Sequence, residues 1–143
     1  MKRPKRVLFV CIGNSCRSQM AEAFARAHGR GVIEPGSAGV YPASIVAPDT
    51  VRAMAEKGID LRGQFPKSVE QVDLTKFDLI VDMSGGLMEG HYTTPVEIWD
   101  VPDPITLDYE QHCHVRDRVE MLVQNLIREL NAKKKVRVFG IGL

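Results

Sequence analysis

Short apolar runs alternate with segments of helical period along this chain, and that alternation limits what it can fold into. Residues 6–11, RVLFVC, are β-branched, aromatic and unbroken, as expected of a strand buried on both faces. From Ser15 the spacing changes. Met20, Ala23, Phe24 and Ala27 share one helical face, Gln19, Glu22 and Arg26 point away from it, and Gly29 follows as a stop. A second strand with its loop is read in VIEPGSAGV (32–40). APDTVRAMAEKG (47–58) reads as a helix with Pro48 at its start, Val51, Met54 and Ala55 facing inward, and Gly58 at its end. FDLIVDM (77–83) and VEIWDV (96–101) are the third and fourth strands. Val115, Val119, Leu122, Val123, Leu126, Ile127 and Leu130 then keep a helical period for about four turns. Lys133 to Lys135 read as a solvated helix end, and the tail from 133 to 143 as either a fifth strand or a loosely held terminus.

Strands separated by helices predict an α/β fold of three layers, α/β/α, around a four-stranded parallel sheet in a single domain spanning 1–143. Right-handed crossovers bring the carboxyl ends of all the strands to one edge, which is where such sheets bind ligands. Cys11 stands at that edge.

The residues after Cys11, CIGNSCRS, carry the chemistry. A loop between a strand and a helix N-terminus exposes several backbone N–H groups in a concave nest, and Gly13 lets the backbone bend. The nest and the helix dipole favour negative charge, so a cysteine at its mouth is expected as the nucleophilic thiolate. Arg17, in the first helical turn, offers a planar fork to a tetrahedral oxyanion. Ser15 and Ser18 add hydroxyls. Residues Ile12, Gly13, Asn14, Ser15, Cys16, Arg17 and Ser18 are therefore the expected oxyanion-binding set, with Cys11 beneath its centre. A leaving alkoxide needs a proton. In WDVPDPI (99–105), Asp103 lies between Pro102 and Pro104, which stiffen the chain and fix its direction, and it follows a strand that ends at the same edge. Asp100 reads as structural.

Other features exclude more than they assign. A net charge of +1 points neither to nucleic acid nor to a membrane surface. The basic start, residues 1–6, is followed by no cleavage site, so no secretion signal is expected. Three cysteines, Cys11, Cys16 and Cys113, make no disulfide framework and suit a reducing, cytoplasmic setting. HCH at 112–114 scatters its side chains around a helix start, with no complementary ligand pair, so no metal site is expected. His28 and His91 read as surface residues.

CIGNSCRSQMAEAF, together with SAG (37–39), KGID (57–60) and VPDP (101–104), resembles the low-molecular-weight protein tyrosine phosphatase superfamily, which includes the thioredoxin-coupled arsenate reductases; the likeness spans almost the whole chain. The resemblance implies Cys11 as nucleophile, Arg17 as oxyanion clamp, Asn14 as the brace of the loop, Ser18 as hydroxyl donor to the thiolate and Asp103 as general acid. RSQMAE and SAGVYPA look more like the arsenate reductase branch. The phosphatases usually carry proline where Gln19 stands and an aromatic where Ile105 follows the DP pair; Tyr41 is a candidate cleft wall. The thioredoxin-coupled reductases place two further cysteines after the third strand, whereas this chain has VDMSGGLMEGHY there. Arsenate reduction would then need an external low-molecular-weight thiol or a redoxin, and no other cofactor. A phosphotyrosine phosphatase acting through phosphocysteine is the second reading, and a non-catalytic oxyanion sensor the third. Cys16 is close enough in the chain for a reversible disulfide with Cys11 or, equally, for a packed loop thiol.

Overall fold

The computed structural model describes residues 3–88, 90 and 92–138; the expectation for His91 and the last five residues of the tail lie outside them. Strand β1 (Lys5–Cys11) leads into helix α1 (Arg17–His28), followed by β2 (Ile33–Gly39), α2 (Pro48–Ala55), β3 (Leu79–Asp82), β4 (Val96–Ile98) and α3 (Tyr109–Val138). The four strands form one sheet in the order β2-β1-β3-β4, and every neighbouring pair is parallel. Cys11 pairs with Gly39, and Val10 with Asp82, so the ends of three strands converge on one stretch of the edge. Pro35, which has no N–H to give, is tolerated because β2 is an outer strand.

Side chains alternate across β1 and divide the interior in two. Val7, Phe9 and Cys11 join Met20, Phe24, Met54, Val81, Trp99, Val119 and Val123 in the larger core, to which all three α-helices contribute. Leu8 and Val10 face the other way, onto Ala38 and Ile80, under Val69, Val72, Leu74 and Phe77. This second covering layer is helical only in two short 3₁₀ turns, Val69–Gln71 and Leu74–Lys76.

Several faces differ from their sequence reading. Gln19 and Glu22 are buried, because the segment around Gln64–Lys67 and the end of β2 close over that side of α1 and give both side chains hydrogen-bond partners. Ala27 is exposed. In α2 the buried side is Thr50, Ala53 and Met54, while Val51 and Ala55 face out. The docking of α2 on α3 selects that face. The fourth strand stops at Ile98, three residues before its expected end, and its side chains are exposed at the rim of the sheet. A tail strand does not form over 133–138, where α3 continues instead. None of the helices in the described residues is long and apolar enough to cross a membrane.

Phe24 is fully buried in the larger core, stacked on the His28 ring at 5.8 Å between centroids. Phe24→Ala should cost about 3–5 kcal/mol of stability, read as a lower urea midpoint with an unchanged slope.

Candidate functional site

The turn from β1 into α1 is shaped by where its carbonyls go. The Cys11, Ile12 and Gly13 carbonyls accept from the Val40, Tyr41 and Ala43 amides, that of Ser15 accepts from Ala47 N, and that of Cys16 from Met20 N. The Asn14 carbonyl accepts from Gln19 Nε2 at 2.9 Å. Every carbonyl from Cys11 to Cys16 is thus engaged outside the turn. Among the described residues, no amide from Ile12 to Ser18 donates to a protein acceptor outside the helix and sheet ladders. Amides left in this way at a helix N-terminus form an anion cradle.

Asn14 is the one non-glycine residue with positive φ, 49°, among those described. Asparagine tolerates the left-handed region better than most residues, and its side chain is put to use there. Its Nδ2 donates to Ser18 Oγ at 2.7 Å, and its Oδ1 accepts from the Lys67 amide at 2.9 Å. Ser18 Oγ lies 2.8 Å from Cys11 Sγ. With Asn14 already donating to that oxygen, the hydroxyl hydrogen is free to donate to sulfur, which suits a thiolate.

Arg17 is 4% exposed. Its Nη1 donates to the Met83 carbonyl at 2.6 Å and to that of Val101 at 3.0 Å, so one guanidinium joins the ends of β1, β3 and β4. Its Nη2 lies 3.5 Å from Asp103 Oδ2, and its buried Nε has no hydrogen-bond partner among the described residues. Asp103 caps the 3₁₀ turn Pro104–Thr106 by accepting from Ile105 N, and its carboxylate is partly open to solvent. Cys11, Ser18, Asn14, Arg17 and Asp103 therefore meet at one place.

Cys16 belongs to the same turn but is buried in the larger core, with its thiol free. Burial pushes its pKa up, against the opposing influence of the Thr50 and Ser15 hydroxyls. Cys113 lies elsewhere, on the face shared by α2 and α3, 3.7 Å from Glu56. Tyr41 and Ile105 are exposed. The HCH residues separate: His112 is buried against Thr50, Cys113 is half-buried and His114 exposed. Among the described residues no group of three or more His, Cys, Asp or Glu side chains is placed to hold a metal ion.

The sequence reading missed the outer support of the turn. Gln64 Nε2 donates to Gln19 Oε1 at 2.6 Å, and Gln19 in turn holds Asn14 and Phe65. Gly39 is the tightest point. A Cβ there would lie 2.7 Å from the Ile12 carbonyl and 2.9 Å from Asn14. The SAG triplet was the available signal, since a glycine closing a strand beside a glycine-bearing turn implies close backbone approach. Gly39→Ala should cost about 1–3 kcal/mol by urea denaturation and weaken sulfate binding in a calorimetric titration. Gly63→Ala, which adds its methyl to open space, should stay within about 0.5 kcal/mol of the parent protein.

Residues 6–136 match the family model described as low molecular weight phosphotyrosine protein phosphatase. The chain is 37% identical over 131 residues to the glutaredoxin arsenate reductase of Synechocystis sp., covering 89% of this chain and 99% of that protein. It superposes with a TM-score of 0.81 on a solved arsenate reductase in the phosphate binding state, at 35% identity, covering 88% of this chain and 98% of the other. A low molecular weight protein tyrosine phosphatase from T. tengcongensis gives a TM-score of 0.77 at 28% identity, with 87% and 99% covered. Fold, anion turn and sequence agree: this chain belongs to the low molecular weight phosphotyrosine protein phosphatase family of enzymes, in which arsenate reductases are among its relatives.

Proposed function

We propose that the chain is an arsenate reductase that works through a Cys11 adduct and an external thiol. The observation that carries this reading is the set of unpartnered amides around residues 12–18, together with the orphaned, buried Arg17 Nε. Both suit the binding of an oxyanion at the turn that carries Cys11. In this scheme the Cys11 thiolate attacks arsenic, and an arsenic oxygen leaves as water, protonated by Asp103. The adduct is held by the turn and by Arg17. A thiolate from outside then attacks the Cys11 sulfur. The S–As bond breaks with its electron pair going to arsenic, so arsenate is reduced to arsenite and a mixed disulfide remains. A second thiol reduces that disulfide and restores Cys11.

The external thiol follows from the cysteine positions. The segment after β3 contains none, Cys113 lies on another face, and Cys16 is buried with its pKa raised. The relative named glutaredoxin arsenate reductase supports a redoxin as the donor. Such a cycle belongs in a reducing compartment, the cytoplasm.

A phosphatase acting on aryl phosphates or phosphotyrosine is the second reading, supported by Asp103 standing 3.5 Å from Arg17, where it can protonate a leaving phenoxide. The two readings separate in a side-by-side assay. Arsenite release dependent on glutathione plus glutaredoxin, with slow turnover of 4-nitrophenyl phosphate, is the expected result; fast aryl phosphate hydrolysis with no arsenite release would make the phosphatase the function. Cys11→Ser should lower either activity by roughly 10³-fold or more. Sulfate binding with neither activity would leave an oxyanion sensor.

A further inference from the structure

His112 is a polar residue in an apolar place. It is 1% exposed, on the first turns of α3, where that helix meets α2 and the segment carrying Asp103. Its Nε2 lies 3.0 Å from Thr50 Oγ1, and Thr50 is fully buried in α2. The Pro104 backbone interacts with the ring, and the Asp103 and Asp49 carboxylates and the Arg116 guanidinium act on it from around. A carbonyl only accepts, so the ring nitrogen that serves Pro104 carries the proton, and Nε2 accepts from the Thr50 hydroxyl. This is the neutral imidazole, and burial favours it by pushing the His112 pKa down.

Thr50 has a second neighbour, since its hydroxyl acts on the Cys16 sulfur. Its helix is anchored to the anion turn a second time, where Ala47 N donates to the Ser15 carbonyl at 3.1 Å. The hydrogen-bonded pair Thr50 and His112 therefore stands in apolar core between the turn and the segment that begins at Asp103. The residue before Pro104 is Asp103. Isolated polar groups in such a place cost stability. Phenylalanine or leucine would fill the space at no such cost, so the pair calls for an explanation in what it joins.

We propose that His112 is a positioning residue, which with Thr50 ties the Asp103–Pro104 segment to the anion turn and holds the Asp103 carboxylate beside Arg17. The inference rests on the reading of Asp103 as general acid. The tie adds to the other restraints on this segment: its own 3₁₀ turn, Arg17 on Asp103 and on the Val101 carbonyl, Arg118 on the Asp100 carbonyl, and the burial of Pro104.

The test compares the full chain with His112→Leu, His112→Gln and Thr50→Val. The first reading is 15N relaxation at Ile105, whose amide donates to Asp103 Oδ1. Its order parameter should be near 0.85 in the parent and fall toward about 0.6 in His112→Leu and Thr50→Val, with Val119 and Val123 unchanged. The second is the dependence of kcat on leaving group. Phenyl phosphate, which needs the proton, should lose about tenfold or more, and 4-nitrophenyl phosphate, which needs it less, only about two- to threefold, with KM little altered. His112→Gln, whose amide can still bond to Thr50, should recover part of the loss. Equal losses on both substrates, or an unmoved Ile105, would overturn the proposal. If the parent hydrolyses neither aryl phosphate, the general-acid reading on these substrates fails, and Ile105 relaxation alone decides whether the tie exists.

Discussion

The structure depends on the turning of six consecutive carbonyls away from one point. In most turns, carbonyls and amides share the available directions. Between Cys11 and Cys16 the carbonyls are taken up by the loop after β2, by Gln19 and by the start of α1. The amides are left without partners among the described residues, at the place where a helix N-terminus already favours negative charge. A cysteine at the end of a central strand is thereby set against a fixed array of dipoles that need no rearrangement when an anion arrives. The same arrangement explains Gly39. The loop that takes up the carbonyls must run within van der Waals contact of the turn, and only a residue without Cβ allows it.

Arg17 adds the second constraint. It is buried, and two of its hydrogen bonds go to carbonyls at the ends of other strands. This guanidinium is therefore a structural joint, and part of its desolvation is offset by those carbonyls. Asp103 stands on a 3₁₀ turn between two prolines, restrained on the side away from Arg17. The longer elements β1 and α1 carry the Cys11 sulfur and the Arg17 guanidinium, and Asp103 sits on a shorter element.

Much of the fold was legible because each element follows one periodicity. RVLFVC reads as a buried strand, and Val115, Val119, Leu122, Val123, Leu126, Ile127 and Leu130 lie on the inner side of α3 as their spacing implies. The candidate site was legible because Cys11, Asn14, Arg17 and Ser18 lie within eight residues of one turn, where the structure brings them together. The unreadable part is polar and long-range. Gln19 and Glu22 look solvent-facing by helical period, yet both are buried because Gln64 and Ser37 supply their hydrogen bonds from distant segments. Thr50 and His112 are 62 residues apart, and neither suggests the other. The carbonyls of Met83 and Val101 carry no side-chain signal at all. Local pattern reports which residues are apolar, and it cannot report which polar residues will find a partner inside.

The bare stretch after β3, with serine, glycine and methionine and no thiol, also sets the kinetic character of the proposed cycle. A resolving sulfur carried on the same chain would face its target at a tether-defined concentration, millimolar or higher, whatever the surroundings hold. In the proposed cycle that step is bimolecular instead. Its speed then rises and falls with the concentration of the external thiol, so an enzyme working in this way slows by mass action as that reductant is drained.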